Sequence, residues 1–103
     1  MIKSGVPSEY ITFDNANEEI PLPTQVGNLI IKLPVTIESE RIMFSSHLDT
    51  VPLCKGAVPV IKENKIVPKE NTALGGDDRT GVAALVTMIK TLIKNKIPHG
   101  PIT

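Results

Sequence analysis

A chain of 103 residues, 41% hydrophobic and 21% charged, has the size and make-up of one small folded domain and not of a disordered segment. Its eleven basic residues balance eleven acidic ones, and no dense basic cluster interrupts that balance, so it lacks the electrostatic footprint of a nucleic-acid binder. No run approaches the ~20 apolar residues that span a bilayer, no signal-peptide core leads the chain, and the single Cys54 cannot close an intrachain disulfide, so a cytoplasmic protein with no membrane or nucleic-acid partner is expected.

In chain order, Ile2-Lys3-Ser4-Gly5 resembles a helix tail with a glycine stop, which Pro7 keeps from resuming. Tyr10 to Phe13 is a short β-prone run, and the polar stretch from Asp14 to Thr24, with Pro21 and Pro23, is a predicted loop. Strands are predicted over Val26–Leu33 and Arg41–Asp49, with a polar turn at 36–40 between them. Residues 58–69 hold two β-prone runs split by Glu63-Asn64, a hairpin signal.

The strongest helix signal runs from Val82 to Ile93. There Val82, Leu85, Val86, Ile89, Leu92 and Ile93 share one broad face. Lys90, Lys94 and Lys96 complement the dipole at its end, and Asn95-Lys96 and Pro98 stop it. Ile102-Thr103 starts a further strand. With only Tyr10, Phe13 and Phe44 as aromatics the core must be aliphatic. The pattern predicts an α/β fold, a layered mixed β-sheet with at least one covering helix, within one domain spanning 1–103. One helix cannot cover both faces of strands as apolar as Leu29–Leu33 and Ile42–Phe44, so further surface from a longer parent chain or from another subunit is expected, and the chain by itself is expected to self-associate into a homo-oligomer.

Two segments carry chemistry. In the first, Ser45-Ser46-His47-Leu48-Asp49-Thr50-Val51, an apolar strand ends in an imidazole and a carboxylate. Strand alternation puts His47 and Asp49 on one side, where both can bind one metal, or Asp49 can hold the second ring N–H of His47. Alternatively, His47 is a surface residue and Asp49 caps a turn. The second segment, Leu74-Gly75-Gly76-Asp77-Asp78-Arg79-Thr80-Gly81, opens the helix. One aspartate suits a helix N-cap; two adjacent carboxylates repel unless a cation compensates, and a divalent metal does so. A phosphate loop is disfavoured by the spacing and by the same two carboxylates.

Together these segments resemble the zinc-dependent exopeptidase family that includes peptidase T, the carboxypeptidase G-type enzymes and the aminoacylases, most closely its peptidase T branch. In that branch an H-x-D-T strand end is followed by a hairpin and a G-[AG]-D-D-[KR]-x-G segment opening a helix. Gly27-Asn28-Leu29-Ile30 and Ile97-Pro98-His99-Gly100 match further phrases of that branch. The resemblance implies that His47 is a zinc ligand, that Asp49 is the catalytic-site carboxylate orienting His47, and that Asp77 bridges two zinc ions. It also implies a cis peptide between Asp77 and Asp78. Arg79 stands where relatives often carry Lys, and Thr80 where small residues are common.

The implied activity is that of a dinuclear zinc aminopeptidase acting on short peptides, a tripeptidase-like hydrolase. The family's Glu-Glu pair, a further acidic ligand, a late histidine and a lid or dimerisation domain do not follow Thr103. Residues 1–103 are therefore expected to be a slice of the catalytic domain, truncated at both ends, that supplies a minority of the metal site and is inactive alone. The rival expectation is a non-catalytic oligomerising or scaffold module derived from that fold. Cys54 lacks a partnered histidine motif for nucleophilic work, His99 sits in a connection, and Glu18-Glu19 belongs to a solvated loop.

Overall fold

The computed structural model describes every residue except Pro23, so the prediction for the 14–24 loop lies outside the described residues at that position. The chain divides into two compact units, Met1–Phe44 with Val86–Thr103, and Ser45–Leu85.

The first unit opens with a 3-10 turn at Ile2–Ser4. It is stopped as its sequence predicts: Gly5 adopts φ 91° and donates its N–H to the Ile2 carbonyl. Strand β1 (Ile11–Phe13) pairs antiparallel with β2 (Leu29–Ile31), with Ile11 opposite Ile31 and Phe13 opposite Leu29. Asp14 pins the end of this pair. Its Oδ1 accepts the N–H of Asn28 at 2.7 Å and that of Ala16 at 3.1 Å, while Oδ2 accepts the Asn28 amide at 2.9 Å. The Asn28 side chain first, then the two backbone N–H groups, hold the Asp14 carboxyl below the usual carboxylate range.

Beyond β2, Leu33 bridges antiparallel to Ile102, and Ile102 bridges parallel to Ile42. The pairing order is thus β1, β2, the run at 101–103, then the run at 42–44, and it is mixed in direction. Helix α1 (Gly76–Lys94) sends its second half into this unit. There Ile89 joins Val6, Leu33 and Ile102 as the buried core, flanked by Met1, Tyr10, Ile11, Ile31, Met88, Leu92 and Ile93. All six apolar positions predicted to share the helix face are buried or half-buried. The helix ends in a Schellman arrangement: Ile97 donates to the Leu92 carbonyl at 3.0 Å and Lys96 to that of Ile93 at 3.2 Å, with Lys96 at φ 49°.

Both predicted strands are shorter than their apolar patterns suggest. Val26–Leu33 contracts to Leu29–Ile31 because Asp14 ties down Asn28 just before the ladder begins. Arg41–Asp49 is a bridge at Ile42, extended by Phe44 donating to the Thr103 carbonyl at 2.9 Å.

The second unit contains a 3-10 turn at Pro52–Cys54 and the predicted hairpin, β3 (Pro59–Lys62) against β4 (Lys65–Pro68). Glu63 (φ 48°) and Asn64 (φ 61°) turn it with positive φ at both central positions, which matches the twist of paired strands. None of the described side chains of this unit is fully buried. No helix among the described residues is long and apolar enough to cross a membrane.

Candidate metal centre

The site lies within the second unit and joins the run 45–51 to the start of α1. His47 and Asp49 are two residues apart and their side chains meet: Nδ1 of His47 is 3.1 Å from the Asp49 carbonyl oxygen and 3.3 Å from its Oδ1. A carbonyl oxygen can only accept, so Nδ1 carries the hydrogen and donates it. The other ring nitrogen, Nε2, is thereby left as the lone-pair nitrogen of the neutral ring. It lies 3.1 Å from Oδ1 of Asp77, thirty residues away in sequence.

In the absence of a metal a carboxylate facing Nε2 favours a second ring proton. The hydrogen bond to Asp77, followed by that to the Asp49 carbonyl, raises the His47 pKa above its ordinary 6.5, with desolvation opposing. Neither partner is wedged in place by packing. The Asp77 side chain is 97% exposed and that of His47 49%.

The two adjacent aspartates divide the work. Asp78 is the helix N-cap: its Oδ1 accepts the Gly81 N–H at 3.1 Å, three residues on. Its Oδ2 accepts the Ser46 hydroxyl at 2.6 Å, and its carbonyl lies 3.2 Å from the same hydroxyl. A Cβ on Gly81 would collide with the Asp78 carboxylate, so the glycine leaves room for the cap. Gly75 sits at φ 70°, and a Cβ there would come within 2.8 Å of the Thr50 methyl. The Asp77–Asp78 peptide is cis, and both residues have non-helical backbone angles, so regular helix begins after them.

Among the described residues no three His, Cys, Asp or Glu side chains converge to enclose a metal ion. The pair His47 and Asp77 nonetheless fits one. Two ligands on a tetrahedral zinc, each ~2.1 Å from it, stand ~3.4 Å apart, and Nε2 and Oδ1 are 3.1 Å apart. An imidazole whose other nitrogen is fixed on an oxygen, paired with a carboxylate, is also zinc's donor chemistry.

Ser46 is the residue that sequence reasoning missed. Its one available signal is position: strand alternation points it away from His47, into the fold, where a hydroxyl requires a partner. The other candidates stay apart from this chemistry. Cys54 is a free, half-buried thiol lining a cleft of about 310 Å³ with Val51, Ala73, Leu74, Gly75, Gly76 and Asp77, and no histidine reaches that cleft. In the first unit a cleft of about 340 Å³ includes His99. The His99 backbone N–H is bonded to Thr36 Oγ1 at 2.6 Å, and its ring Nδ1 lies 2.8 Å from the Gly100 carbonyl, which suits the connection role expected for it. Glu18 and Glu19 are exposed.

No family model matches the chain. It is 41% identical over 76 residues to the uncharacterized protein YqjE of Bacillus subtilis strain 168, covering 74% of this chain and 20% of that protein. Identity to peptidase T of Escherichia coli strain K12 is 29% over 113 residues, covering 77% of this chain and 28% of that one. The crystal structure of aminopeptidase PepT from Bacillus cereus is similar with a TM-score of 0.82 and 36% identity, over 98% of this chain and 26% of that one. Over most of its length the chain is thus similar to peptidase T. An α/β arrangement is thus shared with a solved peptidase T-like fold at an identity that goes beyond a likeness of architecture. The chain spans between a fifth and a little over a quarter of the length of the relatives it matches.

Proposed function

We propose that this chain is part of the catalytic domain of a dinuclear zinc aminopeptidase, cytoplasmic and tripeptidase-like, that hydrolyses short peptides. The observation that carries this is the convergence of His47 Nε2 and Asp77 Oδ1 to 3.1 Å from two segments thirty residues apart. His47, through Nε2, and Asp77 would be the residues of this chain that hold zinc, Asp77 as the carboxylate shared by two ions, and Asp49 would be the catalytic-site carboxylate that orients the ring. Bound zinc supplies a Lewis acid for the peptide carbonyl and lowers the pKa of a coordinated water towards neutrality.

The residues of this chain prepare that chemistry. Asp49 holds the Nδ1 proton through carbonyl and carboxylate together, which fixes the tautomer and makes Nε2 a better donor. Asp77 is spared from capping the helix because Asp78 takes that place, and its carboxylate faces the His47 ring instead. A zinc site uses three or four protein ligands, and this pair supplies two. Residues 1–103 by themselves therefore hold zinc weakly and turn over no peptide.

Calorimetric titration of residues 1–103 with zinc, beside H47A and D77A, tests this. The expected result is an affinity weaker than about 1 μM, lost in both variants, with no tripeptide hydrolysis above a metal-only blank. Submicromolar binding that survives H47A and D77A would overturn the ligand assignment, and turnover would overturn the partial site. The second reading, a non-catalytic oligomerising module, draws on the exposure of Ile42, Met43 and Phe44. It gains ground if zinc binding is absent and a stable oligomer forms.

A further inference from the structure

We propose that Ser46 and Asp78 form a positioning clamp that aims the Asp77 carboxylate at His47. The inference rests on the metal-centre reading above and adds to it two residues that touch no metal. Ser46 is the neighbour of His47 in the chain, and Asp78 is the neighbour of Asp77. The 2.6 Å hydrogen bond from Ser46 Oγ to Asp78 Oδ2 therefore ties the backbone carrying one proposed ligand to the backbone carrying the other. The Asp78 carbonyl, 3.2 Å from the same hydroxyl, adds a second attachment on the main chain.

Both carboxylate oxygens of Asp78 are engaged, Oδ2 by Ser46 and Oδ1 by the Gly81 N–H at 3.1 Å. One side chain thus fixes the start of the helix and links it to the run at 45–49. This matters because packing does not do the job. Asp77 is almost wholly exposed, His47 is half exposed, and no described side chain of this unit is fully buried. Hydrogen bonds must supply the geometry that a core supplies elsewhere. Asp49 orients the ring from the Nδ1 side, and the Ser46–Asp78 pair, half-buried on both sides, sets where Asp77 stands.

A clamp of this kind is distinguished from a merely structural hydrogen bond by comparing S46T with S46V. The two side chains have the same size and differ by the hydroxyl. Residues 1–103 carrying each are compared with the unaltered chain by calorimetry with zinc ion, by the ¹⁵N resonances of the His47 ring without metal, and by the backbone amide spectrum. S46T is expected to match the unaltered chain in all three. S46V is expected to lose about tenfold in zinc affinity, the scale seen when a partner of a metal ligand is removed. Its His47 Nε2 resonance should report loss of the Asp77 contact, while the helix amides after Asp78 stay in place. Unchanged zinc affinity and ring resonances in S46V would overturn the clamp, as would a loss that merely tracks disappearance of the helix amides. If H47A and D77A bind zinc as the unaltered chain does, the metal reading falls instead. The clamp is then judged on the metal-free ring resonances, which need no zinc.

Discussion

His47 faces oxygen acceptors with both ring nitrogens, and that fixes how the site responds to pH. Its pKa is raised, first by Asp77, so D77N should bring it down towards the ordinary value near 6.5. An NMR titration of the metal-free chain reads this, and an unchanged midpoint in D77N would contradict the contact. Since the folded pKa lies above the unfolded one, the stabilisation is complete below the unfolded pKa and is lost as pH rises through the folded pKa. For a site this open to water the effect on stability is small. Zinc affinity runs the other way. A metal must displace the Nε2 proton, so affinity should climb about tenfold per pH unit up to the raised pKa and flatten above it. His47, Asp49 and Asp77 were legible as candidates because strand period and an adjacent acidic pair leave a trace in spacing. Which aspartate caps the helix was not, because backbone angles decide it, and Ser46 was missed because its position marks an inward hydroxyl without naming the partner.

Among the elements, those that rest on local chemistry were the readable ones. The hairpin follows from Glu63-Asn64 and the helix from its six-residue apolar face, since both are settled within a few residues. The strands at 26–33 and 41–49 were overextended because pairing depends on partners the apolar pattern does not name: β2 pairs with β1, and Ile42 bridges Ile102, far away in sequence. Positive-φ positions give a test of opposite signs. Lys96 closes the helix at φ 49° without the freedom of glycine, so K96G should stabilise by about 1 kcal/mol. Gly75 stands at φ 70° with the Thr50 methyl in the space a Cβ needs, so G75A should destabilise by roughly 1–2 kcal/mol or more. Urea denaturation of the two variants reads both; equal shifts of the same sign would refute the assignment of these turns.

At the scale of the whole chain, the distribution of buried side chains is uneven. Val6, Leu33, Ile89 and Ile102 are the buried hydrophobic core among the described residues, and all belong to the first unit. Ser45–Leu85, which carries the candidate centre, leaves Leu48, Val51, Leu53, Ile61 and Ile66 exposed. Local opening costs least where few apolar contacts are broken. Amide hydrogen exchange should therefore be fast across 45–85, the hairpin included, and slow at Leu33 and Ile89; uniform protection would mean that the second unit is stabilised by something its side-chain burial does not reveal. The same exposure bears on association. Uncovered apolar side chains on both units, Met43 at 73% and Ile61 at 79% among them, favour contact with another surface. Residues 1–103 should then form concentration-dependent oligomers in light scattering, with exchange at 45–85 slowing as association proceeds. A clean monomer at high concentration, with the same fast exchange, would mean that this apolar surface is tolerated in water, and the proposed homo-oligomer would have to be abandoned.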